Sequence, residues 1–191
     1  MAAPRKDDVK ALILEATEQL LAHKMLADIS LAEIAKASGI SKGTLYYHYK
    51  TKDDIVFDLT DRYLTEQWNE LVSWSANPHK DTSLHRLVKY VAERNIASPP
   101  MRMQLYYDAI TGNEEIRNRL LRRYDEFQTL ISQKIAERTD EVPAEYLAWL
   151  VLMASDGLFL QKLMRNERID IDQFISQSAG YMRFLTKKNN D

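Results

Sequence analysis

SLAEIAKASGISKGTLYYHYKTK, residues 30–52, carries two short helices and the turn between them in its residue types alone. Ser30 and Glu33 form a capping box: the Ser30 hydroxyl accepts from the Glu33 amide, and the Glu33 carboxylate reaches back to the Ser30 amide. The helix they open should stop at Ser38, because Gly39 follows and tolerates positive φ. Ser41 caps a second helix that runs to about His48. Ile34, Ile40 and Leu45 are spaced to pack the two helices together, and Ala35 is small where they cross. Leu45 and Tyr49 read as core rather than as contact residues.

Helical spacing of apolar residues extends in both directions from this segment. Upstream, a helix over about 7–23 places Val9, Ile13, Ala16 and Leu20 on one face. Downstream, Thr51-Lys52-Asp53-Asp54 starts a helix with two acids in its first turn, where the dipole favours them. It should run to about Ser75, a length of about 36 Å at roughly 1.5 Å per residue. Further helices are expected over about 82–97, 101–111, 114–138, 143–166 and 170–186. Their signals are Pro99-Pro100, Gly112-Asn113, Pro143, and Asp170 with Gln173 three residues on. The tail after 186 should fray. The expected fold is all-α with about nine helices: a three-helix head over 1–51 and a helical body over 52–191, joined rigidly by the fourth helix.

Composition fits this reading and excludes several functions. The 191 residues hold five glycines, five prolines and no cysteine, so there is no disulfide, thiolate metal site or cysteine nucleophile. The formal net charge is -2. The segment 36–52, however, holds Lys36, Lys42, Lys50 and Lys52 without an acid, a small cationic patch in a mildly acidic chain. The longest apolar run, 147–160, is interrupted by Ser155, Asp156 and Gly157 and is too short to span a bilayer. His23, His48, His79 and His85 lie on separate segments, and no nucleophile elbow or phosphate-binding loop is present. No catalytic or metal residue and no cofactor is expected, and the chain should be cytoplasmic.

Two crossed helices of this kind lay the second in the major groove while the first crosses the backbone. The pattern Ala35-x-x-x-Gly39-Ile40-Ser41-x-Gly43-Thr44-Leu45-Tyr46-Tyr47-His48-Tyr49, followed by Lys52 and acids, resembles the signature of TetR-type regulators. The sequence departs from it at Tyr49, where phenylalanine is usual, and at Lys24-Met25-Leu26, which replaces a glycine-aromatic pair. The resemblance implies that Lys42 and Thr44 reach base edges or phosphates and that Gly43 permits close approach. Tyr46 and Tyr47 would meet phosphates and thymine methyls, and His48 and Lys52 would meet phosphate. Ser30 and Ser41, at the two helix starts, complete the expected DNA-binding set.

For the body, the resemblance implies a small-molecule pocket and a four-helix dimer interface. Trp68, Arg102, Tyr106, Phe127, Trp149 and Met153 are the candidate effector residues, for a largely apolar ligand. Gln104, Asp108 and Asp156 are further polar groups in the same zone. Plain core packing, and a body that senses a partner protein, are the competing readings. Leu150, Gly157, Phe174, Ser178 and Met182 are the candidate dimer residues; the near-continuous apolarity of the eighth helix and its mid-helix glycine ask for a neighbour on a second side. A two-fold dimer implies a pseudo-palindromic operator, from which the effector would release a repressor.

Overall fold

The computed structural model describes residues 6–98 and 101–184, without the side chains of Lys6, Asp7 and Met101. The Pro99-Pro100 start signal and the polar tail lie outside the described residues. Among those described there are nine α-helices and no strand: α1 (Lys6–Leu21), α2 (Leu31–Ala37), α3 (Lys42–His48), α4 (Lys52–Ser75), α5 (Leu84–Ile96), α6 (Met101–Ile110), α7 (Glu114–Ala136), α8 (Ala144–Leu163) and α9 (Ile171–Met182).

The helix boundaries follow local chemistry. Ser30, Ser41 and Asp170 each accept the amide three residues on, at 3.1, 3.0 and 2.9 Å. Asn113 does the same for α7, accepting from the Ile116 amide. Thr51 and Asp54 close a full capping box on α4: the Asp54 amide donates to the Thr51 hydroxyl, and the Asp54 carboxylate accepts from the Thr51 and Lys50 amides. Those backbone bonds, foremost the one from Thr51, hold its carboxyl below the usual range. The Ser30 box is half formed, since the Glu33 carboxylate takes the Lys24 ammonium at 2.6 Å instead of turning back.

Three helices end in a left-handed residue whose successor's amide bonds back across the last turn. Gly39 does this after α2 at φ +68° and Gly112 after α6 at φ +119°. After α8 the residue is Arg165, at φ 51°.

Several helix ends fall two to four residues inside the expected bounds, α8 at Leu163 rather than near 166 and α9 at Met182 rather than near 186, and one short element was not expected. α1 stops at Leu21 rather than near His23, and a 3-10 turn, Leu26–Asp28, precedes α2. The Asp28 and Ile29 amides form its bonds, to the Met25 and Leu26 carbonyls, and a distant residue adds to them. The Lys52 ammonium, at the start of α4, donates to the Leu26 carbonyl at 2.8 Å.

Packing divides the chain into two units. The first holds α1–α3, α4 as far as Glu66, α6, and α7 as far as Arg119. It thus takes in more than the three helices that the sequence assigns to the head. Its interior is made by Ile13, Ile29, Ile34, Leu45, Ile55 and Leu59, all buried. The second holds the rest of α4 and α7 with α5, α8 and α9. There α5 packs on both α8 and α9, around Leu84, Leu87, Val91, Ile131, Leu147 and Val151. No helix among the described residues is long and apolar enough to cross a membrane.

Candidate nucleic-acid interface

α3 is short, seven residues, and its placement comes from three kinds of fixed point. The first is apolar. Leu45 is fully buried, and Ile34 and Ala35 of α2 are buried with it. The second is the entrance, where the Ser41 hydroxyl accepts the Thr44 amide and lies 2.8 Å from the Thr44 hydroxyl. The third is the exit, where the Lys50 ammonium donates to the Tyr46 carbonyl at 2.7 Å.

With one side fixed, the other faces outward. Tyr47 is 71% and Tyr46 47% exposed, large fractions for aromatic side chains. Lys42 and Gly43 are exposed beside them. A Cβ at Gly43 would meet only the Ser41 hydroxyl, at 3.7 Å, so nothing inside the chain requires a glycine there. His48 is half-buried and meets the Tyr47 ring edge-on, with centroids 5.2 Å apart. The sequence-derived residues Ser30, Ser41, Lys42, Gly43, Thr44, Tyr46, Tyr47 and His48 thus all sit on α2 and α3 or at their starts. Lys52 sits at the first residue of α4, with its ammonium already directed at the 3-10 turn.

Sequence reasoning placed Tyr49 in the core beneath this surface and gave its hydroxyl no role. Tyr49 is 3% exposed, which agrees with its core reading, but its hydroxyl has a specific use: it donates to Asp58 of α4 at 2.8 Å. Lys10 of α1 donates to the same carboxylate oxygen, also at 2.8 Å. Burial first, and then the neighbouring carboxylate, push the Tyr49 phenol well above its usual range. For Asp58, partial burial opposes the charge, but the Lys10 and Tyr49 bonds outweigh it and hold the carboxyl below its usual range.

The candidate effector residues fall into pairs rather than one cluster within either unit. In the first unit, Arg102 donates to the Tyr106 hydroxyl at 2.7 Å and lies 5.0 Å from that ring's centroid. In the second, Trp68 and Phe127 meet at 61° with centroids 5.7 Å apart. Asp156 accepts from Asn95 of α5 at 2.8 Å and from the Tyr124 hydroxyl of α7. Trp149 is half-buried against the core of this unit, while Met153 is exposed on the outer face of α8 with Leu150.

Four of the five candidate dimer residues come together. Leu150, Phe174, Ser178 and Met182 line one groove between α8 and α9, about 240 Å³ in volume. The fifth, Gly157, has nothing within 4 Å of the Cβ it lacks.

Comparison with known proteins agrees with this geometry. Residues 13–59 match the family model "Bacterial regulatory proteins, tetR family". The HTH-type transcriptional regulator EthR of Mycobacterium tuberculosis (strain ATCC 25618 / H37Rv) is 36% identical over 77 residues, 40% of this chain and 36% of EthR. The match therefore spans about a third of that relative's length. The nucleoid occlusion factor SlmA of Marinomonas sp. (strain MWYL1) is 30% identical over 138 residues, 70% of this chain and 68% of SlmA. A solved structure, a putative transcriptional regulator from Saccharomonospora viridis in complex with choline, superposes with a TM-score of 0.77 at 21% identity. That superposition covers 92% of this chain and 95% of the other.

Proposed function

The chain belongs to the TetR family of bacterial regulatory proteins, DNA-binding transcriptional regulators, and from that premise we propose that it is a repressor which a small molecule releases from a pseudo-palindromic operator. One observation carries the DNA half of this reading. The exposed face of α3 brings together Lys42, Gly43, Tyr46 and Tyr47, while its apolar anchor, Leu45 with Ile34 and Ala35 of α2, is buried. A helix so mounted reads base edges with its first residues and phosphates with its flanks. The lysines of residues 36–52 supply the cationic term, which weakens as salt rises.

The groove between α8 and α9 supports the second half. Leu150, Phe174, Ser178 and Met182 are the surface on which a second copy docks, and Gly157 leaves room for a partner helix. Dimerisation presents two α3 helices to two half-sites about one or more helical turns apart. The effector is a small, largely apolar molecule contacting Trp68 and Phe127, with the Asp156 cluster orienting its polar end. It lowers operator affinity by binding the DNA-free conformation more tightly. The choline held by the Saccharomonospora viridis regulator supports small-molecule binding by this fold. A cytoplasmic location follows from the DNA target.

Selection of bound duplexes from a random pool tests this. The wild-type protein should enrich a pseudo-palindrome. Lys42→Ala and Tyr47→Ala should each weaken operator binding about tenfold or more without lowering the melting temperature, because both side chains are exposed. If the purified dimer retains no duplex even in dilute salt, the regulator reading is wrong. A thermal-shift screen of apolar and cationic compounds then finds the effector, since a ligand of the folded state raises the melting temperature.

A further inference from the structure

The junction between α3 and α4 holds a device that the DNA-contacting surface does not explain. α3 ends at His48, and Tyr49, which caps it, leaves the helix in an extended conformation with φ -136° and ψ 126°. Its ring is buried, and its hydroxyl ends on one oxygen of Asp58, on the second turn of α4. The Lys10 ammonium of α1 ends on that same oxygen and lies 5.2 Å from the centroid of the Tyr49 ring. Three helices therefore meet at a single carboxylate oxygen, through two charge-assisted bonds of 2.8 Å.

The surroundings fix α4 in register against the same neighbours. One turn before Asp58, Asp54 accepts the Lys50 and Thr51 amides, so the chain leaving α3 is tied to two successive turns of α4. One turn after it, Arg62 donates to Glu18 of α1 at 2.6 Å. Any rotation of α4 in the head must then move the end of α3 or break these bonds. Phenylalanine at position 49 would fill the same space without the bond. The hydroxyl adds no apolar burial, and at 3% exposure Tyr49 does not reach DNA.

We propose that Tyr49 and Asp58, with Lys10 as the third partner, are positioning residues for operator binding: the Tyr49 hydroxyl holds α3 at the angle that specific contacts need. The proposal rests on the DNA-binding reading above and deepens it. Contacts to base edges tolerate less misplacement than the attraction of lysines to phosphate. Loss of the hydroxyl should therefore lower specific affinity and spare non-specific affinity.

Tyr49→Phe in the full-length protein is the test, read against the duplex that the wild-type protein selects and against a scrambled duplex of equal length. Operator affinity should fall about tenfold, roughly the effect of one hydrogen bond to a charged group. Affinity for the scrambled duplex, its salt dependence and the helical circular dichroism should not change. Asp58→Ala should reproduce the loss, and Tyr49→Phe made in the Asp58→Ala background should add nothing, because the hydroxyl has already lost its acceptor. Lys10→Met should give a smaller loss of the same kind. Three results overturn the proposal: wild-type operator affinity in Tyr49→Phe, a parallel fall on both duplexes, or additive losses in the double variant. If the wild-type protein selects no duplex, the DNA-binding reading falls as well; a selected operator that Tyr49→Phe binds normally sinks the positioning role alone.

Discussion

α3 and α8 both expose large side chains to solvent, and the company those side chains keep separates the two. On α3 the exposed rings of Tyr46 and Tyr47 stand among Lys42, Gly43 and Thr44, and the helix has only seven residues. On α8 the exposed residues Tyr146, Leu150, Met153 and Leu160 recur with Gly157 at alternating steps of four and three, and exposed Met164, the residue that caps the helix, continues the series. No charge interrupts that stripe. A face with hydroxyls and lysine beside its rings suits a polar, anionic groove, whereas an uninterrupted apolar stripe at heptad spacing suits another helix like itself. Exposure alone would have treated these two surfaces as one kind.

Variants can break this contrast. The largest effect is expected inside the head: Leu45→Ala removes a fully buried side chain from beneath α3 and should cost about 3 kcal/mol of stability in denaturant unfolding. The exposed face of α3 has no such lever. Next comes the α8 stripe. Leu150→Glu should convert the proposed dimer to monomer in sedimentation at micromolar concentration, with little change in the secondary structure of the single chain. If Leu150→Glu stays dimeric, the stripe is not the interface. The smallest effect lies where α8 ends. Arg165 holds the left-handed conformation that Gly39 and Gly112 adopt freely, so Arg165→Gly should raise stability by about 0.5–1 kcal/mol. A loss of stability on thermal unfolding would show that the arginine side chain does more there than its backbone strain costs.

Much of this was legible in the sequence because it is local. The caps at Ser30, Ser41 and Asp170, the glycine turns and the start of α4 at Lys52 depend on residues within four positions of one another. Ile34 and Leu45 were legible as core because helical periodicity and their apolarity point the same way. What escaped is held across long separations. The carbonyl of Leu26 in the 3-10 turn accepts from Lys52, 26 residues away, and the Glu33 carboxylate is drawn away from its cap by Lys24. The use of the Tyr49 hydroxyl depends on Asp58 and on Lys10, 48 residues away from that aspartate. Tyr49 was visible as a departure from a family pattern, and a phenol read as core asks for a hydrogen-bond partner, but nothing local to it names Asp58. Of the effector candidates, residue type alone could not separate the half-buried Trp149 from the outward Met153, because both lie on a helix that is apolar nearly all round.

The distribution of aromatic residues has a practical consequence. The three tryptophans, Trp68, Trp74 and Trp149, all belong to the second unit, and Trp74 lies stacked on Tyr90 at 4.3 Å. The first unit, with its tyrosine-rich α3, has no indole at all. Selective excitation of indole emission therefore reports on one half of the molecule only. A compound or a duplex that shifts this emission has changed the surroundings of the indoles in the second unit, a label-free optical signal to set beside the binding curve of each.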